Sequence, residues 1–227
     1  MNIKVRGLIF ATFFGSCFVI GLLLASLTTE YWVVSQARRS NSTESKSSGD
    51  IHYGLFTGTK NLNVGYGVRS KSVKVFSFVQ DEPEVMNFWL WLGTVVGNTL
   101  GLLTSTLAAI AAVLKAVSNS KNKNMMILLF FLNAVSGLMQ GLGISSWVTL
   151  FCLYLSNNVL MQEDRNNNWY SRGLANIGLS FYLVVCSTII AVINLLVLIA
   201  AYKEQNKKER SDKIPCEEKT QGAIMLY

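Results

Sequence analysis

Four stretches of this chain contain no Asp, Glu, Lys, Arg or His: residues 7–29, 86–114, 124–162 and 173–202. Each is long enough to cross a bilayer, which takes about 20 mostly apolar residues in an α-helix. A helix is the economical choice there, because lipid offers no partner for an unpaired backbone N–H or C=O. Four helices this apolar are too many to bury inside one soluble domain of 227 residues. The expected fold is an all-α membrane protein, a four-transmembrane-helix bundle. The only prolines, Pro83 and Pro215, lie outside the apolar stretches, so no proline kink is expected in them.

The charges fix the rest of the plan. They make up only 15% of the residues and cluster between the apolar stretches. The expected order is an N-tail (1–7), helix 1 (8–28), a large outer loop (29–86), helix 2 (87–114) and a short inner loop (115–124). Helix 3 (125–155), a second outer loop (156–174), helix 4 (175–202) and a disordered tail (203–227) follow. Lys4 and Arg6, the inner-loop lysines and the six basic residues from Lys203 to Lys219 all fall on one side. The second outer loop has only Arg165 and Arg172, offset by Glu163 and Asp164. The positive-inside rule therefore places both termini in the cytoplasm. Much of the net +7 charge then faces anionic headgroups, and no soluble basic domain exists to bind nucleic acid. A basic start followed by an apolar run resembles a signal peptide, but the run is long and lacks a clear cleavage site, so helix 1 is read as retained.

The large outer loop has two halves. The run "RRSNSTESKSSGD" is flexible by composition and holds the sequon Asn41-Ser42-Thr43, a glycosylation candidate in a lumenal loop. Beyond it, "HYGLFTG" and "KSVKVFSFV" are rich in β-formers, and "TKNLNVGYGV" between them carries turn residues. A small extracellular antiparallel β-sheet is expected. Trp32 is read as an interfacial aromatic, and Tyr53-Gly54-Leu55-Phe56 as the start of the first strand. His52, the one histidine, has no ligand cluster around it and is read as an ordinary strand residue.

No charged residue, nucleophile–base pair or metal-ligand spacing is found in the apolar stretches, so neither an enzyme nor a cofactor protein is expected. Of the four cysteines, Cys17, Cys152 and Cys186 fall in helices and Cys216 in the tail, where it is a lipidation candidate. The outer loop thus has no disulfide. The helices do carry small-residue stripes: Gly7, Ala11 and Gly15; Gly93, Gly97 and Gly101; and Gly137 and Gly141, with Asn133 and Gln140 near the same face. Such stripes let helices approach closely, within one bundle or in a homo-oligomer. Asn98, Asn133, Gln140, Asn176 and Asn194 are the polar set expected inside helices. The chain ends Met225-Leu226-Tyr227, a pattern that fits a PDZ groove.

Trp32 after the first helix, the Tyr53-Gly54-Leu55-Phe56 segment with Gly58, the four-helix plan and the Met-Leu-Tyr ending resemble the clarins. Related claudin-like four-span proteins carry a Trp, a Gly-Leu-Trp and two loop cysteines; here both cysteines are absent and Phe56 replaces the second Trp. What the resemblance implies is a plasma-membrane organiser or scaffold in sensory cells, synapses or actin-supported membrane. Its expected partners are the lipid bilayer and membrane proteins, with PDZ or actin-linked scaffolds behind them. A claudin-like adhesion protein and an auxiliary channel or transporter subunit are the alternatives.

Overall fold

The computed structural model describes residues 3–39, 48–63, 67–117 and 123–213. Asn41, Cys216, Met225, Leu226 and Tyr227 lie outside the described residues. Four long helices dominate: α1 (Ile3–Thr28), α3 (Phe88–Val117), α4 (Lys123–Leu150) and α6 (Leu179–Lys213). All four are long and apolar enough to span a membrane. They pack in a closed ring, α1 on α3, α3 on α4, α4 on α6 and α6 on α1. Their outward faces are apolar, with Phe14, Leu103, Leu138 and Leu196 all more than half exposed.

Two interiors fill the ring. One lies toward the loops and holds Val19, Leu23, Trp147, Leu150, Phe181 and Val184. The other lies at the far end, where Val5 and Ile9 of α1 meet Ala111, Ala112 and Ala116 of α3, Leu129 of α4, and Leu198 and Ala201 of α6. The alanines allow the helices to converge there.

At the loop end, strands β1 (Val33–Arg39), β2 (Ser48–Tyr53), β3 (Thr57–Asn63) and β4 (Val68–Lys74) form an antiparallel meander. Two short strands from the second loop complete it: β5 (Trp169–Tyr170) and β6 (Ala175–Ile177), both antiparallel to β1. The sheet is therefore built from both loops, whereas the sequence points to the first alone. Asn176 stands in β6, not in a helix. Asn168, at a φ of 60° just after α5 (Gln162–Asn166), reverses the chain into β5.

Three further differences have clear causes. "VFSFV" is helical, not extended: α2 (Val75–Asp81) places Val75, Phe78 and Val79 on one buried face, so packing overrides β-propensity. The helix stops before Glu82, since the residue preceding Pro83 is disfavoured in the α region. "Thr-Lys-Asn-Leu-Asn" is strand rather than turn, lying in β3. Finally, α6 continues through Lys203 to Lys213, where a disordered tail was expected; Lys, Glu, Gln and Arg are good helix formers, and extending an existing helix is cheap.

The glycines divide by position. A Cβ on Gly97 would stand 2.7 Å from both Gly143 N and Met139 O, which are backbone atoms of α4. One on Gly101 would meet Gln140 Cγ at 2.8 Å, and one on Gly93 would meet Ser146 Oγ at 2.8 Å. Gly15 faces the Asn194 amide. In contrast, nothing lies within 4 Å of a Cβ on Gly7 or Gly141, and Gly137 only reaches Ala191 at 4.0 Å. The close approach on α4 is made by Gly143, outside the expected pair. Gly97→Ala should therefore force α3 and α4 apart and cost about 2 kcal/mol, or about 6 °C in the melting temperature of the detergent-solubilised chain. Gly141→Ala should leave that temperature unchanged.

Candidate functional site

One side chain, that of Trp32, ties the sheet to three of the four helix ends. Trp32 is fully buried at the exit of α1. Its indole Nε1 donates to Ser26 O at 2.8 Å, satisfying a carbonyl that the end of α1 leaves open. Its ring meets Trp147 of α4 edge-on, with centroids 4.9 Å apart, and Phe181 of α6 at 6.5 Å. Its backbone N donates to Tyr53 O of β2, and its carbonyl accepts from Gly178 N ahead of α6, both at 3.0 Å. One residue thus joins α1, α4, α6 and the sheet. Next to it Ser26 Oγ donates to Ser180 O at 2.8 Å, and Thr29 Oγ1 lies 2.7 Å from Ser180 Oγ.

Tyr53-Gly54-Leu55-Phe56 does not start a strand. Tyr53 ends β2, and Gly54 to Phe56 form the turn into β3, with Gly54 N donating to Thr57 O at 2.8 Å. Gly54 is required there because a Cβ would stand 2.6 Å from Thr29 O and 2.9 Å from Glu30 Cα. Leu55 is fully buried, and its carbonyl accepts from Trp91 Nε1 of α3 at 2.9 Å. Phe56 is 47% exposed. The turn and Trp32 are therefore two attachments of the same sheet, one to α3 and the other to the remaining three helices.

The inward face of the sheet carries Val33, Ala37, Ile51, Tyr53 and Leu62 by simple alternation. It also carries Lys60, buried to 4% exposure. The Lys60 ammonium is paired with the carboxylate of Asp164 on α5. That pair is the strongest link between the two loops, and Lys71–Glu163 (3.4 Å) and Arg165–Glu82 (3.5 Å) are its weaker, more exposed neighbours. A polar cleft of about 300 Å³ opens beside it, lined by Arg39, Arg69, Asn167 and Trp169 among others. Tyr53 packs against Phe78 with ring centroids 5.3 Å apart, and its buried hydroxyl has no hydrogen-bond partner among the described residues. Burial, and then the Asp164 charge, push its pKa well above the ordinary phenol value.

His52 stacks on Tyr31, centroids 5.0 Å apart, with its Nε2 3.9 Å from Glu30. Among the described residues no His, Cys, Asp or Glu cluster could hold a metal ion.

One polar network inside the bundle runs between helices, and it centres on Gln140. Gln140 Nε2 donates to Ser136 Oγ at 2.9 Å, and its Oε1 accepts from Ser187 at 2.5 Å and Thr188 at 3.2 Å. Ser136 in turn donates to Gly101 O at 3.1 Å and sits 2.6 Å from Ser105 Oγ. This network links α3, α4 and α6. Asn98 and Asn133 donate to carbonyls of their own helices, those of Thr94 and Leu129. The sequence singles out Trp32, the Gly-Leu-Phe turn and Gln140; it gives no sign of Trp91, Trp147 or the Lys60–Asp164 pair, whose partners are far apart in the chain.

Compared with known protein families and with curated proteins, the chain matches neither.

Two outcomes follow from this geometry. Lys60→Met leaves Asp164 buried and unpaired and should cost about 3–5 kcal/mol, while Lys60→Met combined with Asp164→Leu should recover most of that loss, read by thermal unfolding. Tyr53→Phe removes a partnerless hydroxyl and should be neutral or stabilising at neutral pH. The folded-state pKa of Tyr53 lies above the unfolded value of about 10, so its contribution is intact below that pH and declines above it. Tyr53→Phe should accordingly flatten the alkaline fall in stability.

Proposed function

We propose that this chain is a clarin-like, multi-pass plasma-membrane protein that acts as a structural organiser of membrane complexes, with both termini in the cytoplasm. The observation that carries this reading is the double attachment of the outer sheet, through Trp32 and the Leu55–Trp91 bond, to all four apolar helices. A sheet held in this way fixes the position of an outer partner relative to the helices, which is what lateral organisation of a membrane requires. The apolar outward faces of the helices support the bilayer setting, since patches of that size are unfavourable in water. The Gln140 network supports a packing role over an ion path, because its amide is already taken up between helices.

The cytoplasmic tail, with its Met225-Leu226-Tyr227 end, is the proposed link to PDZ or actin-linked scaffolds. Proximity labelling from that tail in living cells, with and without the last three residues, tests the proposal. The expected set is rich in plasma-membrane and submembrane scaffold proteins, and removing the three residues depletes its PDZ-containing members. A set drawn from internal compartments alone would overturn the location, and one unchanged by the truncation would overturn the role of the tail.

A further inference from the structure

We propose that the groove between α4 and α6, at the end of the bundle opposite the sheet, is a binding site for an anionic phospholipid. The groove has a volume of about 610 Å³. This lies within the range of small-molecule sites, about 300–1,000 Å³. Its α4 wall is apolar, formed by Met126, Ile127 and Phe130, which share one helix face. Its α6 wall changes character along the axis. Leu198 and Ile199 come first, Tyr202 follows, and Lys203, Asn206 and Lys207 complete it.

These α6 positions recur at four-residue intervals and so form one stripe. From Leu198 to Lys207 the stripe rises by about 13 Å at 1.5 Å per residue. Within that distance it runs from hydrocarbon through a phenol to two ammonium groups and an amide. The order matches that of a phospholipid: acyl chain, glycerol ester region, then phosphate. Neither Lys203 nor Lys207 forms an ion pair with a carboxylate among the described residues, and Glu204 does not line the groove. The unbalanced positive charge at the mouth selects an anionic headgroup over a zwitterionic one, and the apolar wall below selects a lipid over a soluble anion.

The location is not accidental in physical terms. Tyr and Lys side chains are the groups that settle at a membrane–water boundary, with their stems along apolar surface and their tips in water. The extension of α6 past its apolar stretch carries the two lysines on the same rigid helix that forms the wall beneath them. A disordered tail would offer the same charges without a fixed position.

The inference rests on the membrane reading above, so the test separates the two. The full-length chain is solubilised, delipidated and titrated with phosphatidylinositol 4,5-bisphosphate or phosphatidylcholine, with bound lipid counted by native mass spectrometry. Insertion is read independently from glycosylation at Asn41 in cells; a chain that never enters the membrane fraction sinks the membrane reading. For the site itself, the anionic lipid should bind at least tenfold more tightly than phosphatidylcholine. Lys203→Gln with Lys207→Gln should weaken it about thirtyfold and leave phosphatidylcholine unchanged. Ile127→Trp, which fills the apolar wall and keeps both lysines, should weaken both lipids. Equal retention of the two lipids, or a double variant that binds the anionic lipid as well as the parent, would overturn the proposal. Inositol trisphosphate binding as tightly as the lipid would overturn it too, by making the apolar wall irrelevant.

Discussion

The indole of Trp32 is where the two parts of this molecule become one. An α-helix ends with carbonyls that its own turns cannot pair, and at the top of α1 one of them, Ser26 O, accepts the Trp32 indole N–H. A tryptophan can do this while its ring remains in an apolar setting, here between Trp147 and Phe181. Because the same residue begins the sheet, the direction of β1 follows from the end of α1. β2 is then placed by Tyr53 O, and β6 and the start of α6 by Gly178 N. Together with the Gly54–Phe56 turn, that residue ties the sheet to all four helices.

Loops of this length often rely on disulfides, and among the described residues Cys17, Cys152 and Cys186 are all free and sit on helices. The buried Lys60–Asp164 pair takes the corresponding position, joining the first loop to the second. The two devices differ in kind. A disulfide acts chiefly by restricting the unfolded chain, whereas a buried ion pair acts on specificity: each charge makes any arrangement without the other unfavourable. The pair therefore fixes which strand of the first loop faces α5, more than it adds to overall stability.

The helical part of the fold is legible in the sequence because its signal is local and repeated. Residues 7–29 or 179–202 announce a helix without reference to anything else. The sheet is less so. β-formers mark β2 and β4, yet the same composition in "VFSFV" gives α2, since burial of Val75, Phe78 and Val79 on one face decides the outcome. β5 and β6 are two and three residues long and carry no periodicity to read; they exist because β1 offers them an edge. Trp32 and Gly54-Leu55-Phe56 stand out as residue types. Their partners Trp91, Trp147 and Ser26 do not, because contact across the chain leaves no mark on the spacing of either residue.

The glycine stripes show the same division within one motif. Gly93, Gly97 and Gly101 of α3 read as a close-packing face and do face α4, but the answering residue there is Gly143, two positions beyond Gly141 and nearly opposite it on the helix. A spacing of four identifies a stripe, not the direction in which it points. That direction is set by the polar network: Gln140 must face Ser187 and Thr188 on α6 and Ser136 must face Ser105 on α3. Turning α4 to bring Gly141 into the interface would leave the Gln140 amide without partners in an apolar interior, at a penalty of several kcal/mol. Gly143 is at the interface because the amide fixes the rotation of the helix, and the absence of a side chain there lets α3 come close.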